Sequence, residues 1–245
     1  MKTGSHTLAV IGAAVALVMA ACGDTAQPTT TAPLNSTIPL DVNAAPPENY
    51  AEFRAQPTAC DAQQPATATN QTYAAPEDQA LDPTKVIRVL IETSCGDIVA
   101  ELDPALAPET VNSFVFLARE GYFDGTAAHR ILPGFVVQAG DPTATGRGNP
   151  GYSLPDEFPP EGFVYERGIL AMANAGSGTT GSQFFIMLGD SGLPPSFSAF
   201  GRVVEGMDVL DLIAATPLGD RTSGFSVEQS VPLETLYVER VVVEE

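Results

Sequence analysis

The feature that most constrains the fold is a series of short segments rich in apolar and β-branched residues, separated by glycine and other turn residues. Such segments are typical of short β-strands. They occupy residues 86–93, 98–102, 131–132, 135–138, 169–173, 184–188, 199–204 and 236–243. Many short strands beside only two helical patterns favour a mainly β domain, a closed antiparallel barrel capped by two helices.

The first helical pattern begins at Pro108 and stops before Gly121. Proline at the first position of a helix and glycine after its last are the usual helix boundaries. The apolar residues between them fall near one helical face: Val111, Phe114, Val115, Leu117 and Ala118. The second pattern is shorter and predicts a helix over 207–215.

Composition excludes several classes of function. The chain has 245 residues with 30 acidic and 11 basic side chains, a formal net charge of −19. A surface this acidic repels a phosphate backbone, so nucleic-acid binding is not expected. Lys2 and Lys85 are the only lysines, and neither lies in a phosphate-binding loop. His6 and His129 are the only histidines, which with three cysteines argues against a zinc site.

The N-terminus has the pattern of an export signal. An uncharged run over 8–21 is too short to span a bilayer but suits the apolar region of a signal peptide. It leads into Ala20-Ala21-Cys22, which resembles a bacterial lipobox. The resemblance implies a signal peptide over 1–21, lipidation of Cys22 and an extracytoplasmic protein anchored to the bacterial cell membrane. Cleavage at another position, or an uncleaved helix, are the alternatives.

Residues 22–84 are rich in proline, threonine and alanine and show no sustained periodicity, which predicts an extended tether. One short helical turn fits residues 48–54. Outside the cytoplasm, the two remaining cysteines, Cys60 and Cys95, are expected to form a disulfide that fastens the tether to the following domain. Two unpaired thiols are the alternative.

Three blocks of sequence are more specific than these patterns. They are HRILPGFVVQAGD over 129–141, GRGNPGY over 146–152, and GILAMANA over 168–175, the last running on through GSQFFI at 181–186. In order and spacing they resemble the signature blocks of cyclophilins, the peptidyl-prolyl cis–trans isomerases that bind cyclosporin. The resemblance covers the domain expected over 85–245 and implies that the barrel has eight strands.

The resemblance also implies roles for individual residues. Arg130 matches the catalytic arginine, and Gln138 matches the residue that orients it and touches substrate. The proline pocket and its rim match Phe135, Val136, Ala173, Asn174, Phe185, Leu193 and Phe197. Gly192 stands where many members have an aromatic residue, so we expect weak cyclosporin A binding.

Prolyl isomerisation suits a chain that is poor in reactive side chains. The reaction breaks no bond, and needs a grip on the proline ring and a donor aimed at the twisted amide. We therefore expect a monomeric isomerase that acts on proline-containing segments of exported proteins without cofactor or metal. A chaperone or scaffold that binds proline-containing segments is the alternative. A solute-binding lipoprotein is a poorer one, because the domain is small and carries other motifs.

Overall fold

The computed structural model describes residues 46–223 and 226–244. The expected signal peptide, the lipidation site Cys22 and the tether up to residue 45 lie outside this range. Within the described residues, no helix has the length and apolarity needed to cross a membrane.

A nine-stranded antiparallel sheet is the largest element of the described residues, which confirms the mainly β fold. Its strands are β1 (Ile87–Thr93), β2 (Gly96–Leu102), β3 (Thr126–Ala127), β4 (Arg130–Leu132), β5 (Val136–Ala139), β6 (Ile169–Met172), β7 (Phe184–Met187), β8 (Ala199–Glu205) and β11 (Tyr237–Val243). Strands β9 (Leu218–Ser223) and β10 (Ser226–Pro232) pair only with each other. The sheet order is β3-β11-β1-β2-β8-β6-β7-β5-β4.

The predicted closed, eight-stranded barrel is not confirmed. The described sheet has nine strands in an open order, with β3 at one edge and β4 at the other. These edges are close along the chain, because β3 ends at Ala127 and β4 begins at Arg130. The sheet therefore curls round until its edges are joined by Ala128 and His129, without a hydrogen-bonded ladder between them.

The hairpin of β1 and β2 shows how the sequence directs the sheet. The two strands pair in register from Ile87 with Leu102 to Thr93 with Gly96, across a two-residue turn. Alternate residues of each strand are buried, as expected for strands that cover a core on one face. Gly96 adopts a φ of +124°, which a residue with a side chain rarely reaches.

Two helices pack on the sheet as predicted. Helix α2 (Pro108–Arg119) inserts Phe114 among aromatic rings, with ring centroids 4.9 Å from Phe123, 5.4 Å from Phe184 and 5.1 Å from Phe200. No side chain of its own caps α2. Instead the carboxylate of Glu157 accepts the backbone N–H groups of Glu109 and Thr110, which satisfies free donors of the first turn. Helix α3 is Met207–Ala214.

The residues over 46–84 belong to the predicted extended tether, and most of them form no helix or strand. They lie against the domain, beginning with the short helix α1 (Tyr50–Arg54), whose Phe53 side chain is fully buried. The ring of Tyr73 packs edge-on against Phe116 at 5.0 Å, and its backbone N–H donates to the carbonyl of Pro150. Packed side chains therefore also occur N-terminal to Lys85, where the domain is expected to begin. Phe53 and Tyr73 thus anchor a segment that has no strand of its own.

A glycine and a disulfide fix this segment in place. A β-carbon at Gly125 would approach the carbonyl oxygen of Ala66 to 2.2 Å, so only glycine allows the two backbones to meet. Cys60 is bonded to Cys95, which confirms the predicted disulfide. The covalent link joins the 46–84 segment to the turn between β1 and β2.

Candidate active site

The two blocks that carry the strongest sequence signal form neighbouring strands at one edge of the sheet. Arg130 on β4 lies opposite Gln138 on β5, Gln138 lies opposite Phe185 on β7, and Phe185 lies opposite Ala171 on β6. Directly opposed residues in antiparallel strands project from the same face. The row from Arg130 to Ala171 therefore lies on one face, and the intervening residues Ile131, Val137 and Phe184 contribute to the main core on the other.

A second hydrophobic cluster covers the face that carries this row. It contains the buried side chains of Val136 and Phe185, with Phe135, Ala173, Leu193 and Phe197 partly exposed beside them. The structure thus brings the predicted apolar site residues together in one cluster, separate from the main core. An apolar group that is left partly open to solvent offers a surface for an apolar ligand.

The rings of Phe185 and Phe197 stand nearly perpendicular, at 84° with their centroids 5.6 Å apart. This is a favourable edge-to-face arrangement. Phe197 lies in the stretch 189–198, which contains two glycines and two prolines. Its contact with Phe185 places it on the cluster.

Tyr165 is a supporting residue that the sequence did not predict. Its side chain is fully buried, its hydroxyl donates to the carbonyl of Phe197 at 2.7 Å, and the N–H of Phe197 approaches the same hydroxyl at 3.3 Å. Burial raises the pKa of this phenol, so the hydroxyl keeps its proton. The only signal in the sequence is a tyrosine in a loop that contains proline and glycine, and this signal does not specify a contact with Phe197.

A polar cavity of about 610 Å³ adjoins the apolar cluster. Gln138, Asn174 and Gln183 line it, together with Arg147 and Ala173. The amide of Gln138 donates to Gln183 Oε1 at 3.0 Å, and that of Gln183 donates to the carbonyl of Gly148 at 3.0 Å. The side-chain amide of Asn174 donates to the carbonyl of Ser196 at 2.9 Å, which ties the cavity rim to the loop that carries Phe197.

The guanidinium of Arg130 has a different partner from the one expected. Gln138 is its neighbour across the ladder, but in the described residues Gln138 bonds to Gln183 rather than to Arg130. Arg130 instead donates from Nε and Nη2 to the two carboxylate oxygens of Glu228 on β10, both at 2.9 Å. Hydrogen bonding to Arg130 is the main cause that lowers the pKa of Glu228, so this carboxylate is ionised at neutral pH.

Two further features of the described residues concern Gly192 and the possible ligands of a metal ion. Gly192 is exposed, and nothing lies within 4 Å of a β-carbon built on it. Throughout 46–223 and 226–244, no three His, Cys, Asp or Glu side chains are grouped to hold a metal ion.

The geometry can bind an extended polypeptide with an apolar ring in the aromatic cluster and present a cationic donor beside it. The sequence profile described as cyclophilin type peptidyl-prolyl cis-trans isomerase/CLD matches residues 88–243. The chain belongs to the cyclophilin family. It is a peptidyl-prolyl cis–trans isomerase of that type.

Relatives of this cyclophilin agree with the assignment. It is 41% identical over 172 residues to the peptidyl-prolyl cis-trans isomerase B of Streptomyces anulatus, a match that spans 63% of this chain and 94% of the relative. The human peptidyl-prolyl cis-trans isomerase-like 1 is 46% identical over 129 residues, 51% of this chain and 78% of the relative.

Solved structures extend the likeness to the fold. A cyclophilin type peptidyl-prolyl cis-trans isomerase of Cryptosporidium parvum superposes with a TM-score of 0.57 at 31% identity, covering 66% of this chain and 99% of that one. A second crystal structure of that protein, determined in the presence of the dipeptide Ala-Pro, has a TM-score of 0.56 at 32% identity and covers 64% and 99%.

Proposed function

We propose that this cyclophilin accelerates the isomerisation of X-Pro bonds in exported proteins, on the outer side of the cell membrane, with Arg130 as its catalytic residue. The observation that carries the proposal is the row of Arg130, Gln138 and Phe185 on the face covered by the second apolar cluster. A structure of a similar protein was determined in the presence of Ala-Pro, which supports proline-containing segments as the substrate class.

The chemistry follows from the nature of the barrier. Rotation about an X-Pro amide costs about 18–20 kcal/mol because resonance keeps the bond planar. As the bond twists, the prolyl nitrogen becomes basic and accepts a hydrogen bond. A donor that meets it only in the twisted state stabilises the transition state more than either ground state.

Arg130 has donors to spare for this role. A guanidinium carries five N–H groups in a rigid fork. Glu228 engages Nε and one hydrogen of Nη2, which leaves both hydrogens of Nη1 and the second of Nη2. The proline ring would rest against Phe135, Phe185 and Phe197, with Val136 and Leu193 completing the wall. The chain before the proline would follow Ala173 and Asn174 along the polar cavity.

The test of this assignment compares Arg130→Ala and Arg130→Lys with a control, Arg240→Ala. Arg240 pairs with Glu92 at the surface, so its loss removes a guanidinium without touching the site. Isomerisation of an X-Pro peptide should slow by about 10- to 1,000-fold in Arg130→Ala, as when one transition-state donor is removed. Arg130→Lys should restore little of the activity, because an ammonium group is a point charge without the planar, forked N–H donors of a guanidinium. A folded Arg130→Ala protein with full activity would show that another residue carries catalysis.

The location of the enzyme is supported by different observations. The resemblance of Ala20-Ala21-Cys22 to a lipobox supports lipidation of Cys22, and the Cys60–Cys95 disulfide suits an oxidising compartment. Replacing Cys22 with serine should abolish incorporation of a labelled fatty acid and shift the protein from the membrane to the soluble fraction of the producing cells. Labelling that persists in Cys22→Ser would contradict the proposed anchor. Cys22→Ala also removes the thiol and should behave like Cys22→Ser.

A further inference from the structure

The β9–β10 hairpin makes two polar contacts with the edge strand that carries Arg130. Glu228 on β10 holds Arg130 through two hydrogen bonds of 2.9 Å, and Nη2 of Arg221 on β9 donates to the carbonyl of His129 at 2.7 Å. The two contacts fall on consecutive residues of the chain. Edge strand β4 and its catalytic arginine are therefore both held by one hairpin.

We propose that Glu228 is a positioning residue for isomerisation, which sets the plane of the Arg130 guanidinium. The inference rests on the proposed function. Within it, Glu228 takes the orienting role that the cyclophilin resemblance implied for Gln138, whose amide is engaged by Gln183.

The geometry of the pair supports positioning. A single hydrogen bond leaves a guanidinium free to rotate, whereas two parallel bonds to one carboxylate fix its plane. The side chains of Arg130 and Glu228 are 26% and 37% exposed, so the pair is partly shielded from water, which otherwise weakens exposed ion pairs. The edge of the guanidinium formed by Nη1 and the outer hydrogen of Nη2 remains for substrate.

The charges around the pair preserve the positive character that the reaction needs. Glu228 and Arg221 are register partners across the hairpin. Arg130 and Arg221 both lower the pKa of the Glu228 carboxyl, so one carboxylate is shared by two positive charges. The three side chains together keep a net charge of +1. Orientation is thus obtained without cancelling the local positive field.

An occluding role for Glu228 makes the opposite prediction. If the carboxylate competed with substrate for the donors of Arg130, its removal would increase turnover and lower KM. A purely structural role would change stability and leave the turnover of the folded protein unchanged. The sign of the effect on kcat separates all three roles.

The experiment measures kcat and KM on an X-Pro peptide for the full chain and for Glu228→Ala, Glu228→Gln and the control Glu205→Ala. Glu205 is an exposed glutamate on β8 that pairs with Arg88, so its loss changes net charge equally. We expect kcat to fall about 10-fold in Glu228→Ala with KM within about twofold, because a misdirected donor acts in the transition state. Glutamine keeps one acceptor oxygen and should recover part of the loss. Glu205→Ala should match the wild type.

A second readout follows the arginine directly. In ¹⁵N-labelled protein, the Nε–H signal of Arg130, assigned by its loss in Arg130→Lys, should shift and broaden in Glu228→Ala and stay unchanged in Glu205→Ala. Unchanged or increased kcat in a folded Glu228→Ala protein overturns the inference. If the wild type is active and Arg130→Ala is not, the proposed function stands even then. A wild type without turnover overturns both.

Discussion

At the scale of single residues, the site depends on which side chains the strand ladder places opposite one another. Arg130, Gln138 and Phe185 are far apart in sequence but successive across β4, β5 and β7. A shift of one residue in any of these registers would turn its side chain into the core. The glycines and buried residues that hold the register are therefore as necessary to the site as the arginine.

Gly192 offers a direct test of drug sensitivity. Its surroundings are open, so Gly192→Trp should be accommodated without a clash. An indole at this rim adds an aromatic face and one N–H donor, which should strengthen inhibition by cyclosporin A about 10- to 100-fold. The inhibition constant of each variant measures this, with Gly192→Ala as the control that adds a β-carbon alone. Equal inhibition of all three proteins would show that position 192 does not border the drug.

Tyr165 permits a test of how firmly the aromatic wall must be held. Tyr165→Phe removes the hydroxyl that bonds to the backbone of Phe197 and leaves that carbonyl without this partner. We expect weaker substrate binding, a KM raised about three- to tenfold with a smaller change in kcat, because the loss of one buried hydrogen bond costs about 1–2 kcal/mol. Steady-state kinetics provides the measurement. Tyr50→Phe, which removes a hydroxyl that donates to the carbonyl of Gly125 away from the cavity, is the control.

Arg130 could be proposed as the catalytic residue from the sequence because its motif is contiguous over 129–141. The partner of Arg130 could not. Glu228 lies 98 residues away, in a hairpin whose strands carry three charged residues and no motif. Tyr165 was missed for a similar reason, since only the fold brings it to Phe197. Residues that act through a motif are visible in sequence, whereas residues that act through a distant contact are not.

At the scale of elements, periodicity predicted the helices and most strands, but missed the β9–β10 hairpin and the packing of residues 46–84. The hairpin lacks the apolar alternation of a core strand because it covers an edge rather than a core. The 46–84 segment was predicted as extended, and most of it has no helix or strand. The segment is anchored by Tyr50, Phe53 and Tyr73. Three residues are too few to form a periodic pattern in the sequence.

Reduction of the disulfide should loosen this segment. The bond closes a loop of 35 positions, for which the chain-entropy model gives a stabilisation of about 3–4 kcal/mol. Within residues 46–84, trypsin can cleave only after Arg54. The guanidinium of Arg54 donates to the carbonyl of Pro65. We expect reduction to accelerate tryptic cleavage after Arg54 at least severalfold.

Lys85 is an internal control for that experiment, because its side chain is already 77% exposed. Cleavage after Lys85 should proceed at similar rates in oxidised and reduced protein. The Cys60→Ser, Cys95→Ser double variant should behave like the reduced protein. An unchanged rate at Arg54 would indicate that the aromatic anchors alone hold the segment.

At the scale of the whole molecule, His129 links folding stability to pH. Its side chain is 1% exposed, and burial lowers the pKa of its imidazole to about 4, although the nearby Asp141 acts in the other direction. Arg221 and Arg130 add to the lowering. Because the unfolded chain takes up this proton near its ordinary pKa of 6.5, the unfolded state binds more protons between about pH 6.5 and 4. Stability should therefore fall as pH decreases through that window.

The expected size of this effect is about 2 kcal/mol between pH 7.5 and pH 5. Urea denaturation at the two pH values measures it. In His129→Gln, the free energy of unfolding should differ less between the two pH values, whatever the stability of this variant at pH 7.5. Burial opposes ionisation of Asp141, but hydrogen bonds from Thr143 and Gly148 outweigh it and lower its pKa, so its contribution is lost only in more acidic solution. A wild type equally stable at both pH values would contradict the buried neutral imidazole.

The position of β11 has a consequence for how the chain is made. This strand is the last along the chain, yet it lies between β3 and β1 in the sheet. A chain that reaches its folding compartment N-terminus first leaves β1 and β3 with unpaired edges until residues 237–243 arrive. Before that, the incomplete sheet exposes hydrogen-bonding groups that a neighbouring chain could capture. A folding catalyst of this topology therefore cannot complete its own sheet until β11 arrives.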